Sequence, residues 1–140
     1  MRVMVIVKAN KDSEAGTLPD TKMLEEMGKY NEELVKAGIM LAGEGLRDSS
    51  KGARVRFDGS KRTVVDGPFA ETKELVAGFW LWQVKSFDEA IEWLKRAPFQ
   101  GEEVEIRQVA EPADFAASDP TGELRKKEDE LRRSVEARHN

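Results

Sequence analysis

Residues 78 to 92 read GFWLWQVKSFDEAIE and contain the clearest structural signals of the chain. The first residues of this stretch are almost all apolar, which predicts a strand buried on both faces. Ser86 and Glu89 then have the three-residue spacing of a capping box, which predicts that a helix begins here. The helix carries its apolar side chains on one side and ends before Pro98. The stretch is therefore a buried strand followed directly by an amphipathic helix.

The N-terminal part of the chain has the same order of elements. Arg2–Lys8 is rich in β-branched residues and apolar on both faces, which predicts a second buried strand. Asn10–Pro19 has the composition of a loop. The apolar spacing that follows predicts a helix over Asp20–Ala37, which Gly38 ends, and then a strand over Ile39–Leu46.

A hairpin is predicted between these two halves. Ala53–Phe57 and Arg62–Val65 alternate on either side of Asp58-Gly59, which indicates a hairpin with one face in water. Val104–Val109 reads as the last strand. The order strand, helix, strand, hairpin, strand, helix, strand predicts an α+β fold. Specifically, it predicts a ferredoxin-like plait, an antiparallel sheet with both helices on one face and an inserted hairpin.

One face of such a sheet is uncovered in a single copy. Because two of its strands are apolar on both faces, that face would expose more apolar surface than soluble monomers usually show. We therefore expect a second layer, most simply a two-fold partner that makes a homodimer. The alternative is that the C-terminal helix covers this face.

Length and composition limit the domain organisation and the chemistry. The chain has 140 residues and a formal net charge of −4, with no cysteine and one histidine, His139. Eleven of the last twenty residues are charged, so we expect one domain over residues 1–116 and a charged helical tail over 117–140. Disulfides, zinc-thiolate sites and cysteine nucleophiles are excluded. A histidine-based triad or metal site would depend on the chain terminus.

The same counts predict which partners the protein does not have. An acidic pI of about 5.2 argues against nucleic-acid binding, which needs a basic patch. No apolar run is long enough for a membrane span, and the first residues lack the cleavage site of a signal peptide. We expect a cytoplasmic protein that uses no metal and no cofactor.

Two carboxylates are the candidate catalytic residues. Asp66 lies in the turn before Gly67 and Pro68, where it would act as a base or bind a ligand, or else accept backbone N–H bonds and fix the turn. Glu44 stands between Gly43 and Gly45, which permits a close backbone approach. A strand end with a bulge is the alternative at this position.

Candidate ligand-binding residues surround these two acids. Arg54 belongs to a small basic patch that would receive an anion or face solvent. Tyr30 lies on the apolar side of the first helix, with its ring in the core and its hydroxyl reaching a partner or a pocket. The remaining candidates follow Asp66 along the chain, and Lys73 among them has a surface ion-pair cluster as its alternative. These residues are Pro68, Phe69, Glu71 and Lys73.

The stretch Asp66–Glu74 reads DGPFAETKE and resembles the signature of the YCII-related proteins of the DGPF-domain type. The resemblance runs from Val3 to about Phe115. It implies a ferredoxin-like fold that pairs into a dimeric α+β barrel. Related branches include dehydrochlorinases, muconolactone isomerases and cofactor-free monooxygenases, and a His-Asp dyad is proposed for the first of these. This chain departs from that pattern, because no histidine precedes His139.

Three functions follow from the residues and the resemblance. The first is a dimer that binds a small molecule without established catalysis. The second is a cofactor-free isomerase or lyase that uses carboxylates in place of the dyad. The third is an interaction module. The resemblance also implies an accessory role linked to sigma-factor regulation.

Overall fold

The structure is a computed structural model that describes residues 1–139, apart from the side chain of Lys73. Short 3₁₀ segments lie at Ser49–Lys51, Thr72–Glu74 and Pro112–Ser118. The helices are α1 (Lys11–Glu14), α2 (Thr21–Lys36), α3 (Phe87–Lys95) and α4 (Glu123–His139). The strands are β1 (Arg2–Lys8), β2 (Met40–Gly45), β3 (Ala53–Asp58), β4 (Lys61–Asp66), β5 (Val76–Gln83) and β6 (Val104–Gln108).

Four of the strands form the main sheet of a first compact unit, Met1–Gln108. Their order is β2-β5-β1-β6, and each neighbouring pair is antiparallel. β3 and β4 pair only with each other, as a separate two-stranded sheet. This topology confirms the ferredoxin-like plait with an inserted hairpin.

Both long helices of the plait have a side-chain cap at their first turn. The Asp20 carboxylate accepts a hydrogen bond from the Met23 amide at 2.8 Å. The Ser86 hydroxyl accepts one from the Glu89 amide at 3.1 Å, as the capping box predicts. Gly38 follows α2 with a φ of +72°, a conformation that glycine adopts without strain.

The predicted loop at Asn10–Pro19 is wrong in its first part, because a single helical turn, α1, lies there. The Asn10 side chain accepts a hydrogen bond from the Ser13 amide at 2.8 Å. The Ser13 hydroxyl in turn accepts one from the Asn10 amide at 2.9 Å. This reciprocal pair is a capping box that satisfies two helix-end amides.

The core lies between the helices and one face of the main sheet. Val3, Val5 and Trp82 of that face are fully or almost fully buried, together with Leu34 of α2 and Ala90 of α3. Trp80 joins them, and its ring centroid lies 5.7 Å from that of Trp82. Both tryptophans are therefore core residues.

Side chains on the opposite face of the sheet are apolar but only half-buried. The strand register pairs Met4 with Leu81 and Ile6 with Phe79, so these four form one block across β1 and β5. We call this block the open face. Arg107 and Glu105 of β6, which pair with Met4 and Ile6, extend the same face with charged side chains.

The hairpin departs from the expectation of one wet face, because both of its faces are exposed. Every residue of β3 is exposed, and in β4 only Val65 is half-buried. Gly59 has a φ of +57° at the first position of the two-residue loop, as a type II′ hairpin turn requires. Apolar and polar residues do alternate along these strands, but no part of the first unit covers their apolar side.

Val109 begins a second compact unit, which contains α4. The Asp119 carboxylate accepts hydrogen bonds from the Leu124 and Arg125 amides at 3.2 and 3.0 Å, which caps the start of this helix. The apolar stripe of α4 is exposed, at 63% for Leu124, 62% for Leu131 and 58% for Val135. Among residues 1–139 no helix is long and apolar enough to cross a membrane. The domain division at residue 116 stays a prediction.

Replacing Leu34 with alanine tests the core. Leu34 is completely buried, so Leu34→Ala should lower the free energy of unfolding by about 2–5 kcal/mol. Val35 is 62% exposed on the same helix, so Val35→Ala should change it by about 0.5 kcal/mol or less. Urea unfolding of both variants measures the difference. Equal effects would contradict the orientation of α2.

The cap on α4 should depend on pH. Burial acts to raise the pKa of Asp119, but hydrogen bonds from the Arg125 and Leu124 amides and the Arg125 guanidinium outweigh it and hold the pKa below its usual value. A lowered pKa in the folded state means that the cap is complete above the ordinary aspartate pKa, about 4, and is lost as the pH falls further. Circular dichroism should therefore show less helix for Asp119→Asn than for the unaltered chain at pH 7. The difference should vanish at strongly acidic pH, and a constant difference would exclude this cap.

Candidate functional site

Two adjoining cavities lie between α2 and the end of the main sheet. The small cavity has a volume of about 410 Å³ and the large cavity about 700 Å³. They share a wall of apolar residues: Val7, Pro19, Met27, Ala77 and Phe99. The volume of the small cavity lies in the range of small-molecule sites.

A tryptophan and an asparagine form the polar corner of the small cavity. The Trp80 indole donates a hydrogen bond from Nε1 to Oδ1 of Asn31 at 3.0 Å. Because an indole N–H can only donate, the oxygen of Asn31 must face it. The amide is thereby oriented, and its Nδ2 group is the donor that Asn31 offers at the wall.

Gly43 makes this corner possible. A Cβ atom at Gly43 would lie 2.6 Å from Cδ1 of Trp80, which is far inside van der Waals contact. The indole therefore rests on the bare backbone of β2. The close backbone approach expected from the glycines around Glu44 is present, and it makes room for the Trp80 side chain in the core.

Glu44 lines the small cavity at its rim. It pairs with Phe79, whereas Gly43 pairs with Trp80, so strand alternation places the Glu44 side chain on the side of the open face. The residue is exposed. A carboxylate in this position can meet a ligand at the mouth of the cavity, away from the corner formed by Asn31.

Three of the four carboxylates that line the large cavity make local contacts, and the fourth, Asp12, is exposed. Asp20 caps α2. Glu102 accepts a hydrogen bond from the Gln100 amide at 2.7 Å, and Glu26 lies 4.0 Å from the Lys22 ammonium. Asp20 and Glu102 therefore hold backbone amides without a ligand, whereas the exposed Lys22–Glu26 pair contributes little to stability.

Tyr30 lies in the core, apart from both cavities. Its ring is 4% exposed, and its hydroxyl donates a hydrogen bond to the Trp93 carbonyl at 2.6 Å. Burial raises the pKa of Tyr30 above its ordinary value, so the hydroxyl stays protonated at neutral pH. These contacts leave it without a route to a ligand in either cavity.

Asp66 also lies outside the two cavities. It is the last residue of β4, opposite Ala53, and is exposed. The structure therefore does not bring Asp66 and Glu44 together at one cavity. This geometry therefore does not support a mechanism in which these two carboxylates act together as acid and base.

The residues after Asp66 anchor a loop. The Gly67 amide donates to the Gly52 carbonyl at 3.0 Å, and the Phe69 amide donates to the Ser49 hydroxyl at 3.0 Å. The Ser49 hydroxyl donates in turn to the Glu14 carboxylate, which also accepts from the Ser49 amide at 2.9 Å. We call Glu14, Ser49 and Phe69 the clamp.

The other candidate binding residues lie around this clamp. The Arg54 guanidinium lies 3.8 Å from the centroid of the Phe69 ring, a cation–π contact within the protein. Pro68 and Glu71 are exposed. The Lys73 side chain lies outside the described part of the structure. The binding roles expected for these residues stay predictions.

Sequence reasoning missed Asn31, Glu14 and Ser49. Asparagine is unfavourable inside a helix, so its presence within α2 was a usable signal for Asn31. Glu14 and Ser49 are separated by 35 residues and match no motif, so their pairing could not be read from the chain. Within residues 1–139 no group of three His, Asp or Glu residues has a metal-binding arrangement.

Comparison with known proteins finds a matching family, a similar curated protein and a similar solved structure. The model of the YCII-related domain matches residues 1–123. An uncharacterized protein of Rhizobium meliloti (strain 1021) is 32% identical over 76 residues, which cover 54% of this chain and 61% of the relative. The match thus spans about three fifths of that curated relative.

A solved structure is similar at greater distance. It is the 5-chloro-2-hydroxyhydroquinone dehydrochlorinase of Burkholderia phenoliruptrix AC1100, in complex with 2,5-dihydroxybenzoquinone. The identity is 18% and the TM-score 0.40, over 81% of this chain and 99% of that one. At this distance the likeness carries no information about activity.

Replacing Gly67 with alanine tests the contact between the loop after Asp66 and the backbone of Ser49. A Cβ at Gly67 would lie 1.7 Å from the Ser49 carbonyl oxygen, so Gly67→Ala must push the two loops apart. We expect the free energy of unfolding to fall by about 1–3 kcal/mol, as for other overpacked sites. A Cβ at Gly45 has no neighbour within 4 Å, so Gly45→Ala is the matched control. If both variants unfold at the same urea concentration, the contact is absent.

Proposed function

The chain belongs to the YCII-related domain family, and we propose that it is a homodimer that binds a small, mainly apolar molecule. The observation that carries the proposal is the oriented amide of Asn31 at the wall of an apolar cavity. One fixed donor among apolar walls is the usual form of a small-molecule site. The ligand would carry a hydrogen-bond acceptor, such as a hydroxyl or carbonyl oxygen, beside an apolar body.

The charge around the small cavity favours a neutral ligand. Its lining includes Glu44 but no lysine or arginine. An anionic group buried there would lose its hydration without a compensating cation. Arg54, which would have positioned an anion, contacts Phe69 instead.

Binding is favoured over carboxylate catalysis by the separation of the candidate acids. A carboxylate-dependent isomerase or lyase needs an acid and a base within reach of one substrate. Glu44 stands alone at the rim of the small cavity, Asp66 lies elsewhere, and Tyr30 is committed to Trp93. The cofactor-free enzyme is therefore the second candidate, with Glu44 as its base.

Dimer formation is supported by the open face. Met4, Ile6, Phe79 and Leu81 form an apolar block on the sheet face opposite the core. A two-fold partner that stacked its own open face here would bury the block against an identical one. We also propose that the protein is located in the cytoplasm, as expected from the sequence.

An accessory role through a protein partner is a third candidate. It is supported by the exposed stripe of Leu124, Leu131 and Val135 on α4. A link to sigma-factor regulation would come from the family resemblance alone. This role and the small-molecule site are compatible, since they use different compact units.

A ligand screen tests the binding site. Neutral alcohols, ketones and amides with an apolar body should raise the melting temperature, whereas their matched carboxylates should not. Loss of one hydrogen bond costs about 1 kcal/mol, so Asn31→Ala should weaken binding of the hits roughly fivefold to tenfold. Glu32→Ala, at the exposed neighbouring position, is the control and should bind normally.

Turnover of the hits distinguishes the candidates. If mass spectrometry finds each hit unchanged after incubation with excess protein, binding is its function. Conversion that stops in Glu44→Gln while binding persists would establish the enzyme. Hits that bind Asn31→Ala at full affinity would exclude the small cavity as the site.

A further inference from the structure

Resting on the proposed homodimer, we infer that the hairpin of β3 and β4 is an arm that packs against a second copy of the chain. The arm comprises residues 53–66. Its contact surface is the apolar side formed by Val55, Phe57 and Val64. This surface is separate from the small cavity and from the open face.

The arm has an apolar side that is covered only at Phe57, where the Arg62 guanidinium of the arm itself lies over the ring. Val55 and Val64 are direct cross-strand partners, and Phe57 lies two residues further along β3, so the three share one side. They are 49%, 65% and 73% exposed. Single exposed apolar residues are common, but a contiguous group on one side of a sheet marks an interaction surface.

The arm also lacks a layer to stabilise it. It contributes no residue to the buried core. A two-stranded hairpin alone is marginally stable in water and needs a third strand or a packed face. Packing against a partner would supply that layer.

Local contacts keep the arm ordered for docking. At its tip, Nη1 of Arg62 donates to the carbonyls of Gly59 and Lys61 at 2.7 and 2.9 Å, and the guanidinium lies 4.6 Å from the Phe57 ring centroid. At its base, Arg54 contacts Phe69 of the clamp. An ordered surface loses less entropy on binding than a mobile one.

Area favours a second copy as the occupant. A stable interface buries about 800 Å² per partner, of which roughly 450 Å² is apolar, whereas the four half-buried residues of the open face offer apolar area on the order of 200 Å². The three apolar residues of the arm add on the order of 300 Å², which is more than the open face supplies. A homodimer that used the open face alone would therefore be small, and the arm supplies the missing area.

Charge favours the same occupant. The arm carries four basic and two acidic side chains, whereas the rest of residues 1–108 carries thirteen basic and seventeen acidic ones. Arg62 pairs with Phe57 and so lies on the side of the contact surface, whereas Arg54 and Arg56 lie on the opposite side. A second copy is acidic outside its own arm and so attracts this cationic arm.

Sedimentation analysis of apolar-side variants tests the inference. The double variant Phe57→Ser/Val64→Ser should raise the dimer dissociation constant by about tenfold or more, because buried aromatic residues dominate small interfaces. Thr63→Ser, on the opposite side of β4, is the control and should shift it less than about threefold. Circular dichroism at equal concentration checks that the variants fold.

Cross-linking gives a second measurement that leaves the apolar side intact. Because the chain has no cysteine, Ser60→Cys at the tip of the arm accepts a benzophenone-maleimide label at one position. After mixing with ¹⁵N-labelled chain and irradiation, we expect cross-linked peptides that join one unlabelled and one ¹⁵N copy. Glu32→Cys on α2 measures the background.

The outcomes separate the arm from the dimer. Suppose that the unaltered chain is a dimer, that the double variant dimerises equally well, and that cross-links form only within one copy. The inference about the arm is then wrong, while the proposed homodimer is retained. If the unaltered chain is a monomer at all micromolar concentrations, both proposals fail. Weaker dimerisation with cross-links between copies supports the arm.

Discussion

The Trp80 indole packs against the bare backbone of Gly43, and several neighbouring parts of the first unit are positioned by this contact. Any side chain at Gly43 would displace the indole, which lies in the core between the sheet and α2. The same indole fixes the amide of Asn31 and packs edge-on against Tyr30, with centroids 5.8 Å apart. One glycine thus sets the position of the edge strand, the orientation of a helix side chain and the shape of the adjoining cavity.

Local signals predicted the elements well, because each depends on neighbours in the chain. The cap at Ser86 and the hairpin turn involve residues at most three apart; the structure has the cap as expected and places the turn one residue later, at Gly59 and Ser60. The one-turn helix α1 was missed although its capping box is equally local, since four residues give no apolar periodicity. Alternation in the hairpin showed which side is apolar, but not whether anything covers that side.

The candidate site was harder to predict because its residues come together only in three dimensions. Asp66 and Glu44 looked alike as carboxylates beside glycines, yet only Glu44 reaches a cavity. Tyr30 was rightly expected in the core, but its hydroxyl is bound to a carbonyl 63 residues away. The signature after Asp66 identifies the family, while its contacts with Ser49 and Gly52 are those of a structural loop.

The clamp has a consequence for the order of folding. Its bonds join Glu14 to Ser49 and Ser49 to Phe69, and so close loops of 35 and 20 residues. Closing loops of this length costs chain entropy that three hydrogen bonds cannot offset before the sheet has brought the segments together. The clamp is therefore a late event, formed on an assembled plait. The residues that identify this family would then contribute mainly to the rate of unfolding and little to the rate of folding.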